Sequence, residues 1–307
     1  MHPPAMASTT ISGLHAPPNH PTSESMTRYW RENEWHDADF LPMSPTDRGL
    51  THGLGLFETI LAIDGSPALL DRHLARMTTS CNRLGWGNPL PNNLRSAIIS
   101  QLVAAELDQG RARVRLAISA GSGQLACPSL GPDYLVWITV SRSEDPPASI
   151  TLSKAPFVHP SHSFLAGVKS ASYAENILVL NNARQGGFDD AVFFNEKNLI
   201  CETTTSNIVA VNDDTLHYPP DDTGCLPGIT RTLIIELSEK NGIHASASPM
   251  TESDLMTCDE VFITSAIRGP VRVSRYESTN YSKTTITHKL RELWQQAVTA
   301  DAARNKA

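Results

Sequence analysis

Four short apolar runs in the second half of the chain place the strongest constraint on its fold. They are "AVFF", "LIC", "NIVAV" and "LHYPP", and the polar segments "NEKN" and "NDD" interrupt them. Runs of this length that are bounded by turn residues predict β-strands with short connections. The first half adds two longer strand-like segments, "LGLFETILAI" and "ARVRLAIS". We therefore expect a mostly antiparallel sheet or barrel-like domain in the second half of the chain.

Two other segments have the spacing of helices, which makes the expected fold class mixed α/β (α+β). In "ALLDRHLARMTTSCNRLGW" apolar residues recur three and four positions apart, so one side should face a core: Leu70, Leu74, Met77, Cys81 and Leu84. The segment "ASYAENILVLNNARQGG" predicts a second helix that ends at Gly186 and Gly187. Its expected packing side consists of Ala174, Ile177, Leu178 and Asn181.

The chain is long enough for two domains, with 307 residues of which 40% are hydrophobic. The segment "SRSEDPPAS", residues 141–149, carries two prolines and predicts a linker. It would separate a small α/β domain at residues 26–140 from a larger domain at residues 150–307. Residues 1–25 are rich in Pro, Ser, Thr and His, so we expect a disordered tail, and Met26 is an alternative start.

Charge and cysteine content exclude several classes of partner. The net charge is -7, which gives no attraction to a phosphate backbone or to an anionic membrane. The sequence has no apolar run long enough for a transmembrane helix and no signal peptide, so we expect a cytoplasmic protein that binds neither nucleic acid nor membranes. The cysteines lack metal-ligand spacing, and we expect reduced thiols and no metal: Cys81, Cys127, Cys201, Cys225 and Cys258.

A lysine and a glutamate stand at positions suited to chemistry on an aromatic heterocycle. Lys169 in "LAGVKSASYAENIL" follows an apolar run and precedes a predicted helix, and burial there would lower its pKa toward that of a Schiff-base amine. Glu202 in "NLICETTTSN" ends a predicted strand before a block of hydroxyl groups, where it could bind a protonated ring nitrogen. Each residue alone is also compatible with an ordinary solvated side chain.

A third feature is the start of a predicted helix in "CLPGITRTLIIEL". Pro227 and Gly228 predict a turn, and Ile229 and Thr230 would open the helix. A helix N-terminus presents free N–H groups and the positive end of its dipole, which suits a phosphate group. Thr230 is equally compatible with a simple capping role.

In combination, these segments resemble the class IV pyridoxal-phosphate aminotransferase family. That family groups branched-chain amino acid aminotransferases, D-amino acid aminotransferases and 4-amino-4-deoxychorismate lyase. The resemblance extends from about Trp30 to the last helix and rests on "DRGLTHGLGLFETI", "DRHLARM", "LAGVKSASYAENIL", "CETTTSNIV", "LPGITR" and "VFITSAIRGPVRV". It implies a two-domain fold type IV enzyme, with a small N-terminal α/β domain and a larger C-terminal pseudo-barrel domain that binds pyridoxal 5'-phosphate. It also implies a homodimer, because a neighbouring subunit usually completes the pocket.

The resemblance implies a role for each matching residue. Lys169 would bond to the cofactor and shuttle protons, and Glu202 would pair with the pyridine nitrogen. The other residues expected at the cofactor are Arg76, Leu226, Ile229, Thr230, Ser265, Ala266 and Tyr173. Arg115 and Phe57 would contact the substrate. Without the resemblance, Arg76 could belong to a solvated stripe with Arg72 and Arg83.

The sequence leaves the reaction itself between two alternatives. We expect transamination of an amino acid with an apolar side chain, because Arg115 matches an arginine of branched-chain enzymes and Phe57, Leu125 and Ile267 would form an apolar neighbourhood. The alternative is aminodeoxychorismate lyase, which releases 4-aminobenzoate and pyruvate. The segment "LAGVK" closely resembles the corresponding segment of that lyase. A D-amino acid enzyme is disfavoured, because this chain has Ala120 at the position where D-amino acid aminotransferases have their carboxylate-binding arginine.

Overall fold

The computed structural model describes residues 27–31, 33–38, 40–126 and 129–305. The predicted disordered tail, Met26 and Cys127 lie outside these ranges. Within them, the thiols of Cys81, Cys201, Cys225 and Cys258 are free. No helix of the described ranges is long and apolar enough to cross a membrane.

The first sheet has six antiparallel strands in the order β2-β1-β6-β5-β3-β4. Its strands are β1 (Thr27–Arg31), β2 (Glu34–Ala38), β3 (Gly55–Ile63), β4 (Ser66–Pro67), β5 (Arg111–Ser119) and β6 (Leu135–Arg142). The helices of this part are α1 (Arg48–His52), α2 (Leu70–Arg83) and α3 (Leu94–Ala104). In the first half of β5, buried residues alternate with arginines, so one face packs on the core and the other presents charge.

The second sheet is mixed and has the order β12-β11-β10-β13-β14-β7-β8-β9, with β15 paired to β14. Its strands are β7 (Ser149–Val158), β8 (Asp190–Phe194), β9 (Ile200–Thr203), β10 (Asn207–Asn212), β11 (Thr215–Tyr218), β12 (Ala245–Ala247), β13 (Glu260–Ser265), β14 (Gly269–Tyr276) and β15 (Thr279–Asn280). Its helices are α4 (Ala174–Gln185), α5 (Ile229–Lys240), α6 (Glu252–Thr257) and α7 (Thr285–Arg304). Most pairs are antiparallel, but β7 with β8, β7 with β14 and β11 with β12 are parallel. The predicted mixed α/β fold class is confirmed.

Helix α2 packs with the face that its sequence predicts. Leu70, Met77, Cys81 and Leu84 are buried, and the half-buried Leu74 packs against the same cluster. Apolar residues three and four positions apart form one stripe on a helix, and here the stripe lies on the first sheet. This packing fixes the direction of the arginines on the rest of the helix.

The predicted packing face of α4 is wrong. Ile177 and Leu178 are 58% and 67% exposed, whereas Val179 and Ala183 are buried. The helix packs on β7 and β8 through Val179 and Ala183, four positions apart, within an apolar cluster that includes Phe193. The larger apolar side chains are therefore on the solvent side of the helix.

An apolar cluster joins the two sheets. It contains Leu61 of β3 and Ala68 beside Val209 and Phe262 of the second sheet, and Trp294 of α7 packs in the same cluster. Arg111 of β5 also donates to the carbonyl oxygen of Ile267 at 2.6 Å. The segment between β6 and β7, part of the predicted linker, thus lies beside a packed junction. A cavity opens next to this junction.

Candidate active site

All eleven residues expected at the cofactor or substrate line one cavity of about 780 Å³. They come from both sheets and from α2, α5 and the loop before α4: Phe57, Arg76, Arg115, Lys169, Tyr173, Glu202, Leu226, Ile229, Thr230, Ser265 and Ala266. Leu125, expected in an apolar neighbourhood of the pocket, is 77% exposed and does not line the cavity, so that expectation is wrong. Ile267 does line it.

Lys169 lies in the loop between β7 and α4 and is tied to the first sheet. Its carbonyl oxygen accepts a hydrogen bond from the N–H of Phe57 at 3.1 Å, and Ser170 bridges to Leu56. Its Nζ is 4.5 Å from the centre of the Phe57 ring. Burial lowers the pKa of Lys169 to about 8, and the charge of Arg76 acts in the same direction. The amine therefore loses its proton far more readily than an exposed lysine.

Glu202 lies on β9 with its carboxyl group turned to the cavity. Its Oε2 accepts hydrogen bonds from the N–H of Leu226 at 3.1 Å and from Nδ2 of Asn207 at 3.2 Å. Burial raises the pKa of Glu202 to about 7, although the Leu226 N–H opposes this shift. A protonated ring nitrogen beside it would favour the ionised carboxylate and lower this pKa again.

The hydroxyl block after Glu202 closes the turn between β9 and β10. The hydroxyl groups of Thr203 and Thr204 donate to Asp190 at 3.0 and 2.5 Å. The N–H of Thr203 also donates to the carbonyl oxygen of Ser206 at 2.7 Å. Hydrogen bonds to Asp190 thus hold a turn that contains neither glycine nor proline. Asp190 was not identified from the sequence, because it lies on a different strand from the residues that it binds.

The start of α5 lies at the cavity wall without a side-chain cap. Gly228 is the N-cap residue, and no side chain of the described ranges accepts from the first N–H groups of the helix. A Cβ atom at Gly228 would lie 1.7 Å from Oδ1 of Asn207, so any larger residue there requires the Asn207 side chain to move. Thr264 Oγ1 is buried and has no hydrogen-bond partner among the described residues. The free N–H groups of the first turn and the Thr264 hydroxyl suit an anion-binding site, since the positive end of the helix dipole also lies there.

Arg76 is held by a buried carboxylate, and the alternative of a solvated arginine stripe is wrong. Its Nε and Nη2 donate to the two oxygens of Glu58 at 2.8 and 2.6 Å, and its Nη1 donates to the Pro227 carbonyl at 3.1 Å. His73 Nδ1 lies 2.8 Å from Oε2 of the same carboxylate. Although burial alone would raise it, Arg76 and His73 hold the pKa of Glu58 at about 2. The guanidinium group therefore has a fixed position between α2 and α5.

Glu58 and His73 were not singled out in the sequence, yet Glu58 carries a usable signal. It is the charged residue within the apolar strand "LGLFETILAI", and every residue from Leu56 to Leu61 except Thr59 is buried there. A carboxylate in such a strand requires a buried partner. His73 and Arg76, three positions apart on α2, supply it.

Tyr173 and Arg115 both contact the ring of Phe57. The Tyr173 hydroxyl donates to the carbonyl oxygen of Thr204 at 2.7 Å, and its ring meets the Phe57 ring edge-on at 5.5 Å. The guanidinium carbon of Arg115 is 3.9 Å from the centre of the Phe57 ring. The apolar surface of Phe57 is thus largely covered by cationic and aromatic groups.

Comparison with known proteins gives a consistent family. Residues 55–276 match the family described as amino-transferase class IV. Aminodeoxychorismate lyase of Bacillus subtilis (strain 168) is 28% identical over 249 residues, which cover 78% of this chain and 83% of that protein.

Two solved structures share the fold, a branched-chain aminotransferase of Thermoproteus uzoniensis with norvaline and an aminotransferase of Brucella abortus bound to the co-factor PLP. The first has a TM-score of 0.81, 21% identity and coverage of 92% and 97% of the two chains. The second has a TM-score of 0.79, 21% identity and coverage of 89% and 99%. Since the family match spans more than half of the sequence, the chain belongs to the class IV aminotransferase family.

Proposed function

We propose that this enzyme uses pyridoxal 5'-phosphate to transfer the amino group of an amino acid to a 2-oxo acid. The observation that carries the proposal is one cavity shared by an amine of lowered pKa, a carboxyl group of raised pKa and an uncapped helix N-terminus. These groups match the aldehyde, the ring nitrogen and the phosphate of this cofactor. The hydroxyl of Thr264, which has no hydrogen-bond partner among the described residues, could donate a hydrogen bond to the phosphate.

Each group has a defined task in the proposal. Lys169 would hold the cofactor, Glu202 would face its ring nitrogen, and the first turn of α5 would bind its phosphate with Thr264. Arg76 would add positive charge near the phosphate, held in place by Glu58. When bound, pyridoxal phosphate supplies an electron sink for the negative charge that develops at the α-carbon of the substrate.

Lys169 also serves as the proton carrier in this proposal. Its amine would take a proton from the α-carbon of the substrate and deliver it to the former aldehyde carbon of the cofactor in the same half-reaction, and the second half-reaction would reverse both transfers. A pKa near 8 suits this task, because an efficient general base has a pKa close to the working pH. Glu202 would accept a hydrogen bond from the ring nitrogen, and its contacts to Leu226 and Asn207 fix the carboxyl orientation.

The test is a titration of Lys169→Ala and the parent protein with pyridoxal phosphate. The parent should develop a near-visible absorption band that survives desalting, whereas Lys169→Ala should lose the band on desalting. Lys154→Ala is the control, because Lys154 forms a surface ion pair with Glu252 and does not line the cavity. A parent spectrum that does not respond to the cofactor would contradict the proposal.

Transamination of amino acids with apolar side chains remains our first choice of reaction, and aminodeoxychorismate lyase is the second. Phe57, Val168 and Ile267 of the cavity wall support the first. Arg115, which supports the first by its match to branched-chain enzymes, also suits the second, because a cation over the Phe57 ring reduces the apolar contact surface. An assay of the same preparation with leucine plus 2-oxoglutarate and with aminodeoxychorismate distinguishes them. Glutamate formation supports the first reaction, and 4-aminobenzoate with pyruvate supports the second.

We further propose a homodimer in the cytoplasm. The family resemblance implies a second subunit at the pocket. A second copy would cover exposed apolar side chains at the end of β7 or on the solvent side of α4: Phe157, Val158, Ile177 and Leu178.

A further inference from the structure

Arg83, in the last turn of α2, binds the loop that carries Lys169. This lysine loop, residues 159–173, joins β7 to α4 without forming a helix or a strand. Arg83 Nη1 donates to the carbonyl oxygen of Ala166 at 2.8 Å, and Nη2 donates to that of Phe164 at 2.6 Å. The guanidinium carbon is also 5.5 Å from the centre of the Phe164 ring. One side chain thus connects α2 to two carbonyl oxygens of the loop.

Other contacts hold the two ends of the lysine loop. Near its start, the N–H of Ser161 donates to Glu196 at 3.0 Å. Near its end, the N–H of Ala171 donates to the carbonyl oxygen of Gly55 at 2.8 Å. Residues 163–168 lie between these anchors, directly before Lys169.

In residues 163–168, the backbone hydrogen bonds are those of local turns within the lysine loop. Among the described residues, Arg83 is the only one outside the loop that hydrogen-bonds to this part of it. Leu165 and Val168 also pack against the core of the first sheet, but such apolar contact is non-directional. The paired hydrogen bonds of a guanidinium group fix direction as well as distance. Arg83 therefore determines how this part of the loop lies on α2.

Helix α2 also carries Arg76, seven positions and about two helical turns before Arg83. Arg76 binds the carbonyl oxygen of Pro227 beside the start of α5, the proposed phosphate site. The lysine loop meets the same proline, because a Cβ atom at Gly167, which has a φ of +72°, would lie 3.6 Å from Cδ of Pro227. One helix therefore supports both the cation near the phosphate site and the loop that carries the amine.

We propose that Arg83 is a positioning residue for Lys169, which fixes the lysine loop on α2 and so sets the place of the amine relative to the phosphate site. Pyridoxal phosphate carries its aldehyde and its phosphate on neighbouring carbons of a rigid ring. The amine must therefore lie at a matching place before it can bond to the aldehyde, and a displacement of about 1 Å is enough to impair such a reaction. This inference rests on the proposed function, because it concerns the bond between Lys169 and that cofactor.

The test compares two forms of the cofactor that differ only in the group that faces Lys169. Cofactor-free protein is titrated by calorimetry with pyridoxal phosphate and with pyridoxamine 5'-phosphate, whose amine cannot bond to a lysine. Arg83→Met keeps an apolar side chain and removes every donor. It should weaken binding of pyridoxal phosphate about tenfold, as expected for loss of a hydrogen bond to a charged group, and binding of pyridoxamine phosphate less than about twofold. A general loss of structure would weaken both equally.

Hydrogen–deuterium exchange of the cofactor-free protein measures the loop itself. Residues 163–168 should exchange faster in Arg83→Met than in the parent, because their turns lose the contact that holds them on α2. Arg95→Met is the matched control, because Arg95 forms a surface pair with Asp71 outside the cavity. It should change neither the exchange of the loop nor the affinity for either form of the cofactor.

Equal changes of the two affinities in Arg83→Met, or no change in either, would overturn the positioning role whatever the exchange rates show. Unchanged exchange of residues 163–168 would overturn it as well. These outcomes leave the proposed function intact as long as the parent develops the near-visible band. Absence of that band in the parent contradicts the proposed function instead.

Discussion

At the scale of single residues, Glu58 connects the core of the first sheet to the cavity. Its carboxylate is 1% exposed and binds both Arg76 and His73. A buried carboxylate requires such partners, and the arginine in turn is held in one orientation. Arg76 then reaches the Pro227 carbonyl just before the start of α5. The position of a cation at the candidate phosphate site thus depends on a residue that does not line the cavity.

Glu58→Gln should destabilise the protein and weaken cofactor binding. The pKa of Glu58 falls from its ordinary value of 4.5 to about 2 on folding. This difference corresponds to about 3 kcal/mol of stability at neutral pH. Loss of one partner in a buried ion pair costs about 3–5 kcal/mol, because it leaves the other charge uncompensated. Chemical denaturation at pH 7 measures the first effect and a titration with pyridoxal phosphate the second.

The stability that Glu58 contributes depends on pH. A depressed carboxylate pKa contributes stability that is fully present above pH 4.5 and is lost as the pH falls toward 2. The stability difference between parent and Glu58→Gln should therefore shrink between pH 5 and pH 3. Glu236→Gln, which breaks the half-exposed pair with Arg72, should cost less than about 1 kcal/mol. Equal effects of the two substitutions would contradict the role of Glu58.

At the scale of elements, local patterns predicted the strands and helices but not all of their contacts. The strands around "NEKN" and "NDD" were predictable because their turn residues are local. The α4 face was not, because Val179 and Ala183 are smaller than Ile177 and Leu178 and only the surface of β7 and β8 selects them. The parallel pairing of β7 with β8 and β14 joins segments far apart in sequence, which no local pattern records.

Gly228, at the start of α5, is in close contact with Asn207. Gly228→Ala should displace Asn207, because the added Cβ would lie 1.7 Å from its Oδ1. We expect a loss of about 1–3 kcal/mol from overpacking and weaker binding of pyridoxal phosphate, since Asn207 also orients Glu202. Asn207→Ala combined with Gly228→Ala removes the clash and should recover stability relative to Gly228→Ala without recovering cofactor affinity. Thermal unfolding and cofactor titration of the parent, of Gly228→Ala, of Asn207→Ala and of the double variant measure both effects. A Gly228→Ala protein with parental stability and affinity would exclude this account.

At the scale of the whole molecule, the cavity depends on contacts between distant parts of the chain. Arg72 of α2 binds Glu236 of α5 at 2.8 Å, and the N–H of Leu69 donates to Asp301 of α7 at 2.6 Å. These contacts hold α2 against α5 and α7, and Arg76 and Lys169 line the same cavity. The family resemblance predicted which residues meet, whereas sequence spacing alone could not, because Arg76 and Glu202 are separated by the entire region between α2 and β9.

The proposed homodimer leads to a prediction about the exposed face of α4. Ile177 and Leu178 are more than half exposed on a helix that begins five residues after Lys169. If a second copy covers this face, Ile177→Glu with Leu178→Glu would place two carboxylates in an apolar interface and should convert a dimer to a monomer. Sedimentation velocity of the parent and the double variant measures the change, with Val103→Glu on the exposed side of α3 as control. A monomeric parent would contradict the homodimer, and a dimeric double variant would place the interface on another surface. Because the proposed subunit contact lies next to the lysine loop, the monomeric variant should also show a lower turnover while it retains the near-visible cofactor band.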